Sequence, residues 1–291
     1  LVTPKKQQMF TFGTAYDISK RTKASVEAAL SNYDVNLFSD KDKGNDVGYA
    51  LKSSFLTAAP LKRSDSVGWM LTSALNYEYV QKNFTPIERF RAVEFEREWN
   101  LTSAIKEDEH IASFQAGVAK KTVGDVVYQL RGFRKGSRYN ALNNLISSHL
   151  TWKNFRLLAD GSYLTTKSQQ SKTEYYKYKA DISKAISKFL VGVREEEEHN
   201  SFFKLASDSL FANSFAFREY SGYAGLSDSL KNNFRITFKQ RYDFAPTGTD
   251  FRNSTVAEDI AFAAALDALV DARQEAGSPE SIVEGLVIRS S

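Results

Sequence analysis

The sequence predicts an all-β chain: an antiparallel up-and-down meander forming all or part of a transmembrane β-barrel, with a short C-terminal helix possible. Three observations predict it. Successive segments alternate apolar and polar residues with the period of two that a strand imposes and a helix would smear. The connections between segments alternate between short and long. Aromatic residues gather near the segment ends, where two interfacial girdles would place them.

The first segment, "MFTFGTAYDI", sets Phe10, Phe12, Tyr16 and Ile18 against Thr11, Gly13, Ala15 and Asp17. "SKRT" turns the chain into "KASVEAAL", with Val26 and Leu30 opposite Ser25 and Glu27. After the polar excursion "SDKDKGND", a third strand carries Val47, Tyr49, Leu51 and Phe55 against Gly48, Ala50, Lys52 and Ser54. "PLKRSDS" reads as a tight connection to "VGWMLTSALNYEY", which sets Trp69, Leu71, Leu75, Tyr77 and Tyr79 against Thr72, Asn76 and Glu78. A longer segment, Gln81 to Glu109, follows. The rhythm resumes in "HIASFQAGVAK", the link "KTVGD" and "VVYQLRGFRKG"; then "LNNLISSHLTW" puts Leu142, Ile146, Leu150 and Trp152 on one face. "WKN" leads to "FRLLADGSYL". "TTKSQQSK" reads as a polar loop, "EYYKYKADI" as a strand, "SKA" as a link, "SKFLVGV" as a strand and "REEEEHN" as a loop. "SFAFREYSGYAG", the link "LSDSLK" and "NNFRITFKQRYDF" complete about twelve strands, most of roughly 9 to 12 residues, enough to cross a bilayer at a tilt.

Residues 1–255 therefore form the predicted barrel or barrel segment, and 256–291 a helix-prone tail or final strands. In that tail Ile260, Phe262 and Leu266 also alternate, and "SIVEGLVIRSS" reads as one more short strand. The chain ends without a closing aromatic residue and begins without a leader pattern, so a piece of a larger barrel is expected.

Composition agrees with strands. Of the residues, 42% are hydrophobic and 13% aromatic, with 14 Tyr, 21 Phe and only five Pro. No run approaches the about 18 apolar residues of a membrane helix, and the mean hydropathy of −0.41 suits a barrel that greases only alternate positions. A net charge of +4 leaves no footprint for nucleic acid. The absence of cysteine removes disulfides, thiolate metal sites and cysteine nucleophiles.

The stretches "LSNYDVNLFSDKDKGNDVGYALK", "NFTPIERFRAVEFEREWNL" and "SLFANSFAFREY" resemble the large outer-membrane β-barrel proteins of Bacteroidota. That resemblance covers the chain to about Thr255. It implies a surface-exposed barrel in the outer membrane, embedded in lipid, with other envelope proteins as possible partners; it carries over no catalytic residue.

Few residues invite chemistry, and each has a plainer reading. His149 shares a strand face with Ser147 and Asn143, a set that can activate a serine, yet parallel side chains about 7 Å apart at the Cα suit a polar histidine better. His110 and His199 read as loop residues without partners. The carboxylates of "REEEEHN" cannot converge on one cation from an extended chain, and Asp40, Asp42, Asn45 and Asp46 lack the closing glutamate of a calcium loop. No cofactor, metal or catalytic residue is expected, and the chain reads as a non-enzyme.

Lys52, Arg131, Arg156, Lys177, Lys179, Arg235, Lys239 and Arg241 form the more informative set. With the greasy row toward lipid they face the lumen, either lining a passage that favours anions or pairing with Glu27, Glu78, Asp160 and Asp181 to plug it. Trp69, Trp152, Tyr33, Tyr49, Tyr77, Tyr79, Tyr220 and Tyr242 are the expected interfacial aromatics. The expected role is passage of solutes or scaffolding of a surface assembly; the alternative is a non-enzymatic soluble or surface-exposed β-rich binding module with the same rows around a closed core.

Overall fold

Twelve strands pair in sequence order in the computed structural model, each antiparallel to its neighbours. The structure describes residues 3–39, 41, 43–61, 68–101, 106–226 and 234–244, and the backbone of 259–262 and 286–289. The strands are β1 (Lys6–Ser19), β2 (Thr22–Asp34), β3 (Val47–Pro60), β4 (Met70–Val80), β5 (Glu109–Lys120), β6 (Gly124–Lys135), β7 (Tyr139–Trp152), β8 (Phe155–Ser168), β9 (Ser171–Ile186), β10 (Phe189–Lys204), β11 (Phe215–Leu226) and β12 (Arg235–Phe244). One α-helical turn, α1 (Phe95–Glu98), and a 3-10 turn at Lys43–Asn45 interrupt the pattern. β13 (Asp259–Phe262) and β14 (Leu286–Arg289) make a separate antiparallel pair; the rest of the tail lies outside the described residues. β1 and β12 do not pair with each other, so the sheet is open between them.

The register carries one face unbroken across the sheet, because pairing partners project to the same side. Phe12 faces Ala28, Ala28 faces Leu51, and Leu51 faces Tyr79. Farther along, Ile146 pairs with Tyr128 and with Gly161, and Val193 with Ile182 and Gly222. This face is apolar yet open to the surroundings: Phe12 is 73% exposed, Leu75 54% and Val193 60%. The opposite face is polar and covered, with Thr173 at 1%, Ser183 at 2% and Asp181 at 3%. A sheet stabilised around an aqueous-side exterior would have the reverse arrangement.

Several connections differ from the sequence expectation. "TTKSQQSK" is no loop: β8 and β9 run through most of it, leaving Gln169 and Gln170 as the turn, where the Ser168 hydroxyl accepts from the Gln170 and Ser171 amides. "SKA" belongs to β9, and the chain reverses instead at Ser187 and Lys188, Ser187 taking the left-handed φ of 56° that a two-residue turn asks for. "REEEEHN" lies inside β10. Strict alternation of short and long connections therefore fails at 136–138 and 169–170, and strands reach 16 residues because polar strand segments continue beyond the apolar rows.

Candidate functional site

The segment after β4 does not leave the sheet. It crosses the polar face as a strap, Gln81–Leu101, and every strand residue described below as holding it has the parity of that face. The Thr85 amide donates to the Ser31 hydroxyl at 2.9 Å, and the Gln7 side-chain amide donates to the Pro86 carbonyl at 3.0 Å. Gly48 lies where the strap passes closest; a Cβ there would overlap the backbone of Asn83 and Phe84. Arg91 bridges Glu78 of β4 and Glu109 of β5, the latter at 3.0 Å, and its guanidinium lies over the rings of Phe90 and Phe95 at 4.7 and 4.5 Å. Glu109 also holds Lys135 at 2.8 Å. Two carboxylates share two cations, so the charges balance, although Glu78 Oε1 and Arg91 Nε are buried without a hydrogen-bond partner among the described residues.

Beyond α1 the strap anchors in apolar contacts. Trp99 is fully buried among Phe133, Tyr139, Ala141 and Leu164, with Phe95, Leu101, Ile111 and Tyr175 around them. The Tyr139 hydroxyl donates to the Trp99 carbonyl. Asn100, in the left-handed region at φ 49°, donates its side-chain amide to the Thr173 hydroxyl at 2.9 Å. The strap thus reaches from β1 and β2 to β9. A cavity of about 550 Å³ remains beside it, lined in part by Glu27, Lys52, Glu78, Phe84, Ile87 and Arg89.

All eight basic residues singled out from the sequence share the polar face, as the register requires. Lys52 stands between Glu27 and Glu78. Arg131 meets Glu98 of α1 at 3.4 Å and lies over the Trp99 ring at 5.0 Å. Lys177 approaches Glu198 at 3.6 Å and Glu196 at 3.9 Å, while Lys179 approaches Glu196 at 3.8 Å. Lys239 pairs with Glu219 at 2.8 Å, and Arg241 with Asp243 at 2.9 Å while stacking on Phe217. Arg235 lies over the Tyr223 ring; Arg156 occupies the same face on β8. Tyr223 fits against Gly192 and donates to Asp181, which also accepts from Arg194 at 2.9 Å.

Pairing is therefore widespread, but its partners differ from those expected: Glu78 binds the strap's Arg91, Asp181 binds Arg194, and the glutamates of "REEEEHN" answer Lys177 and Lys179. Strand alternation splits that run. Glu196 and Glu198 join the polar face, while Glu195 and Glu197 project to the apolar one, where the Tyr176 and Tyr178 hydroxyls donate to Glu197 and Arg218 clasps it. No group of three metal-binding side chains occurs among the described residues. Asp40 and Asp42 of the other acidic stretch lie outside them.

The histidines all lie on strands. His149 shares its face with Ser147 and Asn143, but its hydrogen-bonding neighbour is Asp125 across the ladder at 3.5 Å. His110 meets the Tyr77 hydroxyl at 2.8 Å, and His199 stacks on Tyr176 and meets Ser201 at 2.9 Å, so both have the partners that a loop position had seemed to deny them.

Of the aromatics, Tyr49 and Tyr79 pack at 5.5 Å, and Tyr220 and Tyr242 at 6.4 Å, on the apolar face near the loop ends. Tyr77 joins them, and Trp152 is exposed at the opposite end, beside the turn into Phe155. Trp69 directly precedes β4 beside the β3–β4 connection, where its carbonyl accepts from the Leu61 amide. Tyr33 is the exception. It pairs with Gln7 and has the parity of Ser31, which places it on the polar face. Tyr163, Tyr176 and Tyr178 extend the apolar-face row, a signal present in their alternation but hidden by the misplaced loop boundaries.

No protein-family model, curated protein or solved structure matches the chain.

Proposed function

We propose that the chain is the wall, whole or partial, of an outer-membrane β-barrel that passes small polar solutes through a narrowed interior. The observation that carries this reading is the inverted sheet: an exposed apolar face spanning twelve strands, backed by a polar, ion-paired face that the strap crosses from β1 to β9. Exposed apolar surface of that extent calls for lipid or protein against it, and the aromatic pairs at its loop-ward margin suit a bilayer interface. The alternative, a β-rich binding module with a closed apolar core, requires those residues to be covered by protein instead.

The strap supports a restricted passage. It is fixed by Trp99 at one end and by Ser31 and Gly48 at the other, so solutes pass beside it. Because Glu196, Glu198 and Glu219 answer the basic residues of β9 and β12, the passage has little net field and discriminates weakly between anions and cations.

Fractionation of the full chain between membrane and aqueous extracts, followed by planar-bilayer conductance of detergent-purified protein, tests this. Membrane recovery with small, steady conductance is expected. Recovery in the aqueous extract overturns the barrel reading; membrane recovery without conductance overturns the transport role and leaves scaffolding of a surface assembly.

A further inference from the structure

Two grooves on the described part of the apolar face differ in charge: one has a charged end and the other has none. On β9–β12 a depression of about 650 Å³ opens where Ala180 and Gly222 leave the face thin. Its end toward the short turns is walled by Ile182, Val193 and Phe238, and its loop-ward end by Glu195, Tyr220 and Gln240. Each of β10, β11 and β12 changes in the same sense: Val193 to Glu195, Gly222 to Tyr220, Phe238 to Gln240. The second groove, over β2–β7 around Ala112, Gly132 and Leu142, has a similar volume and no charged lining residue.

Charge at the loop-ward end is unevenly satisfied. Arg218 clasps Glu197, whose side chain is almost wholly covered, with two guanidinium nitrogens. Glu195 receives the Tyr178 hydroxyl at 2.8 Å but stands 3.9 Å from Arg218. Glu195 and Arg218 therefore keep exposed edges, one anionic and one cationic, at the head of an apolar trough. Arg218, committed to Glu197 and only at the outer limit of pairing distance from Glu195, leaves that half-exposed carboxylate incompletely compensated, and a ligand that supplies a second cation is favoured there.

We infer that this groove binds one phospholipid whose zwitterionic headgroup carries a primary amine. The ammonium sits against Glu195, the phosphate against Arg218, and an acyl segment lies along Ala180, Val193 and Gly222. The inference rests on the apolar face meeting lipid, as proposed above. An anionic headgroup without the amine offers Glu195 only repulsion.

Native mass spectrometry of the full chain, released from detergent after incubation with phosphatidylethanolamine or phosphatidylglycerol of identical acyl chains, tests it. One retained phosphatidylethanolamine is expected, favoured about tenfold over phosphatidylglycerol, the factor that loss of one charge-assisted hydrogen bond brings. Glu195→Gln, which keeps an acceptor for Tyr178, should erase that preference. Gly222→Val should abolish retention of both lipids, since a Cβ there meets only open space and fills the trough. Gly132→Val, the same change at an equally open site in the uncharged groove, should leave retention unchanged and serves as the folding control. Equal retention of the two lipids by the unaltered protein, or retention surviving Gly222→Val, overturns the inference while membrane recovery keeps the barrel reading intact. Recovery of the protein in the aqueous extract overturns both.

Discussion

Gly48 of β3 lies directly beneath the peptide joining Asn83 to Phe84, with no room between them for even a methyl group. The strap can lie flat on β3 only because position 48 has no side chain, a case of close backbone approach rather than of turn geometry. Gly48→Val should lift the Asn83–Pro86 stretch at a cost of about 1 to 3 kcal/mol, the range for overpacking a fitted site. Trypsin cleavage at Arg89 and Arg91 should accelerate, and the proposed passage should show a higher single-channel conductance. Unchanged proteolysis would show that the strap has another hold at this point.

The far end of the strap has a different anchor. Trp99 is fully buried, and truncation to alanine should cost about 3 to 5 kcal/mol as a cavity opens among Phe133, Tyr139 and Leu164. Arg91→Met should cost about 2 kcal/mol, less than a fully buried pair because Glu78 and Glu109 retain some water and Lys135 remains beside Glu109. Since both residues hold one segment, the double variant should lose less than the sum of the two, a coupling that a denaturation-based double-mutant cycle measures.

Much of this was legible in the sequence, for one reason. Side-chain alternation in a strand is local, so the two faces of β3, β4 and β7 could be read directly, and the eight basic residues fell on a common face once each strand's parity was known. What could not be read depends on other strands. Four consecutive glutamates look like a solvated loop until Lys177 and Lys179 are placed beside two of them and Tyr176, Tyr178 and Arg218 beside the others. The strap was hidden for the same reason. "NFTPIERFRAVEFEREW" has no strand period, and its burial is set by Gly48, Ser31 and Phe133, which its own residues do not reveal.

At the loop end of β2, beyond the apolar row that stops at Leu30, Asp34 accepts from Lys43 and from the Asn36 amide at 2.9 Å. The hydrogen bond from Lys43 holds its carboxyl below the ordinary value of 3.8. A carboxyl whose folded value is depressed contributes its stability in full above the unfolded value and loses it as pH falls through the folded one. Acidification below about pH 4 should therefore loosen the β2–β3 connection, seen as faster hydrogen exchange at Asn36 after correction for the intrinsic rate. Lys43→Met should shift that transition up toward the unfolded value. An identical profile in the variant would rule out the ion pair as its cause.

The charge balance of β9 to β12 makes the sharpest demand on the proposed passage. Glu196 and Glu198 lie between Lys177 and Lys179 on one side and the β11–β12 pair of Glu219 and Lys239 on the other. Glu196→Gln with Glu198→Gln preserves side-chain volume and the acceptor that the Tyr175 hydroxyl uses on Glu198, but removes two negative charges. Lys177 and Lys179, each with over 40% of its side chain already exposed, then lose the two glutamates that answer them and leave a net positive charge on this part of the polar face. In a confined low-dielectric passage such charges act over the distance of a Debye length, about 10 Å at 0.1 M salt. The reversal potential across a salt gradient should move toward the anion equilibrium value, and raising the salt should shrink the shift by screening. Lys177→Gln with Lys179→Gln should move it the opposite way. If neither pair of substitutions changes the reversal potential while conductance persists, ions do not travel along β9 to β12.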